Sequence, residues 1–272
     1  MYKLAVFDMD GTILNSKHEI SKENKDAIKE LENNGVKIVI ATGRPGQFLK
    51  KFVNDLEIKE YVITCNGSVI GKPYTDDFLH INTIDKGTVI KIVDMCEENH
   101  YDYLLYTVDT VVTKMNDKLN LIRKAEELYE EKDKAHIIQT EDPNYIKNNF
   151  FPNKILITEK DPVKFKKLWD FMKGFRNIEY TQSWVGALDV SPLGDTKGNA
   201  VKILAKHYGI KKEEIVSFGD QLNDITMIKY AGLGIAMGNA EDEVKQIADY
   251  VTLTNDESGV AFAIKKIILK EL

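Results

Sequence analysis

Four short segments of the chain carry side chains whose types and spacing can do chemistry. The first, Asp8-Met9-Asp10-Gly11-Thr12, sets two carboxylates one residue apart at the end of a short apolar run. Carboxylates crowded there repel each other and resist ionisation unless a cation or a substrate offsets them. In such a place Asp8 can bind a metal and attack phosphorus. Asp10 can offer its backbone carbonyl to the metal and its carboxyl to proton transfer. Asp-Gly is also common turn chemistry, so the segment by itself leaves an Asx turn open.

The second segment, Ala41-Thr42-Gly43-Arg44-Pro45, places a hydroxyl and free amides beside a helix start, a setting that binds phosphate. A plain strand-to-helix turn uses the same residues. In the third, Gly194-Asp195-Thr196-Lys197-Gly198-Asn199, Lys197 lies between turn residues and a helix start. Its ammonium can neutralise phosphate and the crowded acids there, although most lone lysines are solvated surface groups. The fourth, Gly219-Asp220-Gln221-Leu222-Asn223-Asp224, adds two carboxylates and an amide. Mg2+ takes oxygen ligands in octahedral geometry and keeps waters and substrate phosphate in its shell. Asp8, the Asp10 carbonyl and Asp220 are its natural protein ligands. A calcium loop competes for the fourth segment, but Asp220, Asn223 and Asp224 lack the EF-hand alternation and its closing Glu.

Each segment follows a strand-like stretch, which is where ligands bind in open α/β sheets. Lys3 to Phe7 and Val36 to Ala41 are apolar runs suited to parallel strands buried on both faces. Between them Ser21 can cap a helix with Ala27, Ile28 and Leu31 on one face and Gly35 as its stop. Another helix begins after Pro45, and Tyr61 to Thr64 reads as a third strand. This β-α-β-α-β series predicts an open parallel sheet covered by helices.

From about Thr83 to Val190 the pattern changes. A helix over Thr88 to Glu98 is followed by a hairpin, Tyr101 to Tyr106 and Thr110 to Lys114, turning near Val108 and Asp109. Then come a charged helical stretch from Asn116 to Lys132, a strand at Lys154 to Thr158, a helix from Pro162 to Lys173, and strands near Glu179 and Leu188. Segregated hairpins and helices predict an inserted α+β module. Tyr101, Tyr103 and Tyr106 suggest a sugar platform, but tyrosines on a strand also serve as packing, and Tyr106 faces away from the other two. The last third returns to the first pattern. It has helices at Ala200 to Tyr208, Asp224 to Tyr230 and Asp242 to Ala248, and strands at Glu214 to Phe218, Leu233 to Ala236 and Tyr250 to Thr252.

A chain of 272 residues suits two compact domains, and 43% hydrophobic with 29% charged residues is ordinary globular composition. A formal net charge of -6 argues against a nucleic-acid surface, which needs clustered Lys and Arg. It leaves room for an anionic small substrate, which one Lys and one metal can hold. Cys65 and Cys96 form no CxxC pair and the histidines no HxxxH, so neither a disulfide framework nor a zinc site is expected. No apolar run approaches the roughly 20 residues of a membrane span. The N-terminal run meets acids where a signal peptide would continue, so no membrane partner is expected and the expected compartment is the cytoplasm. No feature of the sequence fixes an oligomeric state.

The four motifs in order, DxDGT, TGR, TKG and GDxxND, resemble those of the haloacid dehalogenase-like hydrolase superfamily, specifically its Cof-type sugar-phosphatase branch. The resemblance spans the whole chain, with Met9 where Leu is frequent. It implies an α/β protein: a Rossmann-like, doubly wound parallel core over residues 1–82 and 191–272, with the α+β module at 83–190 as a cap that selects the substrate. The implied activity is Mg2+-dependent hydrolysis of a small phosphorylated metabolite through an aspartyl-phosphate on Asp8. Asp8, Asp10 and Lys197 would then be catalytic, and Met9, Thr42, Gly43, Lys197 and Asn223 would bind phosphate. Asp8, Asp10 and Asp220 would hold the metal, and Asp224 would orient Lys197 or a metal-bound water. Asn66, in an Asn-Gly pair that also suits an ordinary turn, is expected near the site mouth. The alternatives are a phosphomutase on the same core, a signalling receiver that phosphorylates an Asp, and a silent binding protein. Asp10, two residues after the nucleophile, favours fast hydrolysis over a receiver's stable phosphate.

Overall fold

The structure, a computed structural model, describes residues 2–114 and 136–270. A five-stranded parallel sheet runs in the order β14 (Tyr250–Val251), β13 (Leu233–Ala236), β12 (Ile215–Gly219), β1 (Leu4–Phe7) and β2 (Lys37–Ile40). Every residue of β1 is buried, as a central strand covered on both faces requires. Phe7 pairs in register with Phe218 of β12, and the two rings stack at 4.8 Å. The helix Lys22–Asn33 joins β1 to β2. Ser21 accepts the Asn24 N–H at its start, and Ala27, Ile28 and Leu31 are buried along it. Burial of each such Ile or Leu contributes about 1.5–3 kcal/mol.

The chain winds outward from β1 to β2 in one direction and from β12 through β13 to β14 in the other. The reversal falls between β1 and β12. Their carboxyl ends therefore flank a switch-point crevice, and Asp8 and Asp220 are the residues that follow them.

The third strand departs from expectation. Among the described residues β3 (Val62–Thr64) meets the edge of the parallel sheet through the isolated Ala41–Ile63 bridge. It then pairs antiparallel with β4 (Val69–Gly71), which pairs with β5 (Phe78–Ile81). The cause is local: Cys65, Asn66 and Gly67 have φ of 50°, 58° and 112°, which reverses the chain at the end of β3, at the Asn-Gly pair that also suited a turn. At Gly67 any Cβ would sit 2.5 Å from the Thr196 carbonyl, so only glycine fits the turn.

A six-stranded sheet has the order β10 (Ile178–Trp184), β11 (Ala187–Pro192), β9 (Lys154–Thr158), β6 (Asp102–Tyr106), β7 (Thr110–Thr113) and β8 (His136–Gln139). All neighbours are antiparallel except β7 and β8. Tyr101 and Tyr103 join a core with Val89 of the helix Lys86–Asn99 and Leu168 of the helix Pro162–Met172. Leu104 and Tyr106 face the other way and pack with Cys65 of the β3–β4 turn. All three tyrosines are packing residues in this structure. The charged stretch expected to be helical from Asn116 to Lys132 lies outside the described residues. Among the described residues no helix is long and apolar enough to cross a membrane.

Candidate active site

Four acids and one lysine meet at the carboxyl ends of β1 and β12. Asp8 is tied to the neighbouring strand by its N–H, which donates to the Phe218 carbonyl at 3.0 Å. Lys197 opens the helix Lys197–Tyr208, whose start is fixed by Thr196 accepting the Asn199 N–H. From there its buried Nζ donates to Asp8 Oδ1 at 2.5 Å and to Asp224 Oδ1 at 2.6 Å. The other oxygen of Asp224 accepts the Asp220 and Gln221 N–H groups, each at 2.9 Å. Both Asp224 oxygens are thus engaged in holding Lys197 and shaping the loop.

Asp220 accepts from the Thr12 hydroxyl at 2.8 Å and from Gln221 Nε2 at 3.1 Å. Gly11 makes room for it: with φ of 82°, a Cβ there would lie 2.3 Å from Asp220 Oδ2. Oxygens of Asp8, Asp220 and Asp224 lie within 4.8 Å of one another. Burial, then the Asp224 charge, raises the Asp8 pKa well above the ordinary carboxylate range. Lys197 opposes this, while Asp220 and Asp10 add to it. Burial and Asp224 likewise raise Asp220 to about 7. For Lys197 burial works against the charged form, but Asp224 and Asp8 outweigh it and keep the ammonium protonated. Three buried carboxylates facing one ammonium carry a charge deficit that a hard divalent cation would offset. Asp8, Asp220 and Asp224 are the side chains that fit such an ion, and Asp224 also holds Lys197.

Asp10 lies at the rim, its side chain 47% exposed. Arg44 Nε donates to Asp10 Oδ2 at 2.7 Å and Arg44 Nη2 donates to Oδ1. Burial alone would raise this carboxyl. The Arg44 charge and hydrogen bonds, with His18 and Lys197, hold it below the usual range.

Thr42 is buried, and its N–H donates to the Ile63 carbonyl at 2.9 Å. Its hydroxyl accepts the Arg44 N–H at 3.1 Å and keeps a proton to donate. The Met9 side chain is buried in the core, which leaves only its backbone to meet a ligand. Asn223 Nδ2 donates to Asn66 Oδ1 at 3.0 Å, and Asn66 Nδ2 donates to Asp189 Oδ2 at 2.8 Å. The Asn223 donor must exchange that bond to reach a phosphate oxygen. Gly43 stands beside this chain, its built Cβ 2.9 Å from Asn66 Oδ1.

Sequence reasoning did not single out Asp189, Lys154 or the Arg44–Asp10 pairing. Lys154 Nζ lies 2.9 Å from Asp189 Oδ1 in a buried ion pair. The available signal was a charge inside an apolar strand: Asp189 in Leu188-Asp189-Val190 and Lys154 ahead of Ile155-Leu156-Ile157. Such a charge needs a partner.

The chain belongs to the haloacid dehalogenase-like hydrolase family, which it matches over residues 5–264, and it is of the Cof type. The phosphatase YwpJ of Bacillus subtilis is 34% identical to it over 98% of this chain and 100% of that protein. The 5-amino-6-(5-phospho-D-ribitylamino)uracil phosphatase YcsE of the same organism is 34% identical, covering 98% of this chain and 96% of its own. A solved haloacid dehalogenase-like hydrolase from B. subtilis superposes with a TM-score of 0.87 at 32% identity, over 97% of this chain and 99% of that one. The protein is a phosphatase of this family.

Proposed function

We propose that the protein hydrolyses small phosphomonoesters, sugar phosphates or similar metabolites, with Asp8 as nucleophile and Mg2+ as cofactor. The observation that carries this reading is the buried Lys197 gripped between Asp8 and Asp224 at the switch point of the sheet. Asp8, the Asp10 carbonyl and Asp220 would hold the ion, which when bound offsets the acidic cluster and the charge of the reacting phosphoryl group.

Lys197 fixes the Asp8 carboxylate through Oδ1, so the attacking group is oriented before substrate arrives. The Thr42 hydroxyl, the backbone N–H groups of Met9 and Gly43, Lys197 and Asn223 take the phosphate oxygens. Asp8 attacks in line and forms an acyl phosphate. Asp10 protonates the departing alkoxide, then takes a proton from the water that cleaves the acyl phosphate. The ion pair with Arg44 favours the ionised Asp10 needed in the second half. The first half requires that pair to loosen as the proton is taken up.

In this reading residues 1–82 and 191–272 supply the chemistry, and residues 83–190 form a cap that chooses the substrate. The substrate for which the relative YcsE is named, a 5-phospho-D-ribityl compound, supports a hydroxyl-rich leaving group. The test is phosphate release from a panel of phosphomonoesters in Mg2+ and in excess EDTA. Release that needs the metal is expected; a folded protein that releases phosphate from no panel member would overturn the reading.

A further inference from the structure

We propose that His80 is a positioning residue: through Asp195 it fixes the start of the helix that carries Lys197. The proposal rests on the role given to Lys197 above and adds the group that holds that lysine in place. The chain enters the module of the six-stranded sheet at residues 82–85 and leaves it at residues 193–196. His80, on β5, lies two residues ahead of the entry, and Asp195, in the exit loop, lies two residues ahead of Lys197. His80 Nε2 is 3.0 Å from Asp195 Oδ1. The Asp195 side chain is 7% exposed and that of His80 26%.

The exit loop is bonded on two sides. Towards the six-stranded sheet, the Leu193 N–H donates to the Asn177 carbonyl at 3.1 Å, and the Gly194 N–H donates to Glu179 Oε1 at 3.1 Å. Towards the β3–β4–β5 sheet, His80 holds Asp195. Bonds from the Thr196 N–H and from Asn199 Nδ2 to the Gly194 carbonyl shape the loop without anchoring it to either sheet. Close packing adds a limit in one direction. The Thr196 carbonyl stands 2.5 Å from where a Gly67 Cβ would sit, so the loop can come no nearer to the β3–β4 turn. Packing of that kind resists approach but not withdrawal. The bond between His80 and Asp195 resists withdrawal.

The lysine needs such a tie because it serves two acids at once, Asp8 at 2.5 Å and Asp224 at 2.6 Å. A shift of the helix start by about an ångström would take one of these bonds out of range. On its other side the helix start is held by the Gly198 N–H, which donates to Thr226 Oγ1 at 3.0 Å. His80 and Thr226 are thus opposed polar anchors, with Lys197 between them. The chemistry of the tie agrees. Burial pushes the Asp195 carboxyl up, and the His80 hydrogen bond and charge, with Asn82 and Ser68, oppose that rise. A buried acid destabilises a loop unless a donor meets it, and a ring N–H meets it in a fixed direction, which an apolar contact does not provide.

The experiment measures kcat and KM of the full chain with Mg2+ on nitrophenyl phosphate. His80→Leu fills much of the same space without a donor, and His80→Gln keeps a donor. His80→Leu should lower kcat about tenfold or more, because a small displacement of a reacting group is that costly, while KM moves less than about threefold. His80→Gln should recover most of the loss. Asp195→Ala should reproduce it, and His80→Leu combined with Asp195→Ala should lose no more than the worse single variant, since both remove one bond. If His80→Leu fails to fold, His80→Ala carries the same comparison, and the His80 variants decide even without a folded Asp195→Ala. Equal kcat in His80→Leu and His80→Gln, a loss confined to KM, or losses that add in the double variant overturn the positioning role alone. A wild type that releases phosphate from neither this ester nor any other phosphomonoester overturns the phosphatase reading itself.

Discussion

Arg44 grips Asp10 along one edge of its guanidinium, Nε donating to Oδ2 at 2.7 Å and Nη2 to Oδ1. The carboxyl assigned to proton transfer is thereby held in its ionised form, against the effect of its partial burial. In the proposed reaction the pairing sets the acid half against the base half.

Arg44→Ala should raise the Asp10 pKa and move the alkaline limb of the kcat/KM profile to higher pH. A profile of kcat/KM against pH checks this. A limb that stays in place in the variant would show that Asp10 is not the acid that titrates.

Asp8→Asn should lower turnover at least about a thousandfold, as loss of a nucleophile does elsewhere. It should also leave the metal-free protein no less stable, because one of the crowded carboxylates is gone. Rapid acid quench with labelled substrate should trap phosphate on the wild type and none on the variant.

Lys197→Met tests what holds the cluster together. The ammonium is fully buried between Asp8 and Asp224, and removing this single cation leaves the crowded acids without an opposite charge, which costs about 3–5 kcal/mol. Urea unfolding in EDTA should show the loss. A variant as stable as the wild type would mean that the acids are neutral without their lysine.

Metal-free protein should lose stability as pH rises. Asp8 is raised well above the ordinary carboxylate range and Asp220 to about 7, so the folded state binds their protons more tightly than the unfolded chain does. Their contribution is therefore complete at pH values below the ordinary carboxylate range and is lost as pH climbs through the folded values. Melting in EDTA from pH 5 to pH 8 should show the decline, and added Mg2+ should stabilise most at the upper end. A metal-free stability that rises over this interval would contradict the crowding.

Local pattern made much of the fold legible. The runs at Leu4–Phe7 and Lys37–Ile40 are strands because apolar side chains bury both faces, and Ser21 starts a helix because its oxygen accepts the Asn24 N–H. The motif residues Asp8 and Asp220 fall just past the buried strands Leu4–Phe7 and Ile215–Gly219, because a carboxylate inside such a run is costly without a partner. What continuous sequence cannot carry is the meeting of distant side chains. Asp8, Lys197 and Asp224 converge because parallel register sets β1 against β12 and the helix at Lys197 beside both.

The antiparallel excursion of β3 hinged on three successive positive φ angles in Cys65-Asn66-Gly67, of which the Asn-Gly pair is legible as a turn and Cys65 is not. Asp189 and Lys154 were each a lone charge in an apolar strand until sheet pairing placed them on one face, against Gly43. The sequence by itself determined the types of the reacting groups and the strand ends that bear them, since both depend on neighbours a few residues away. Only the tertiary structure decided which charges share a buried space, because burial and pairing energies depend on contacts between segments that the chain keeps far apart.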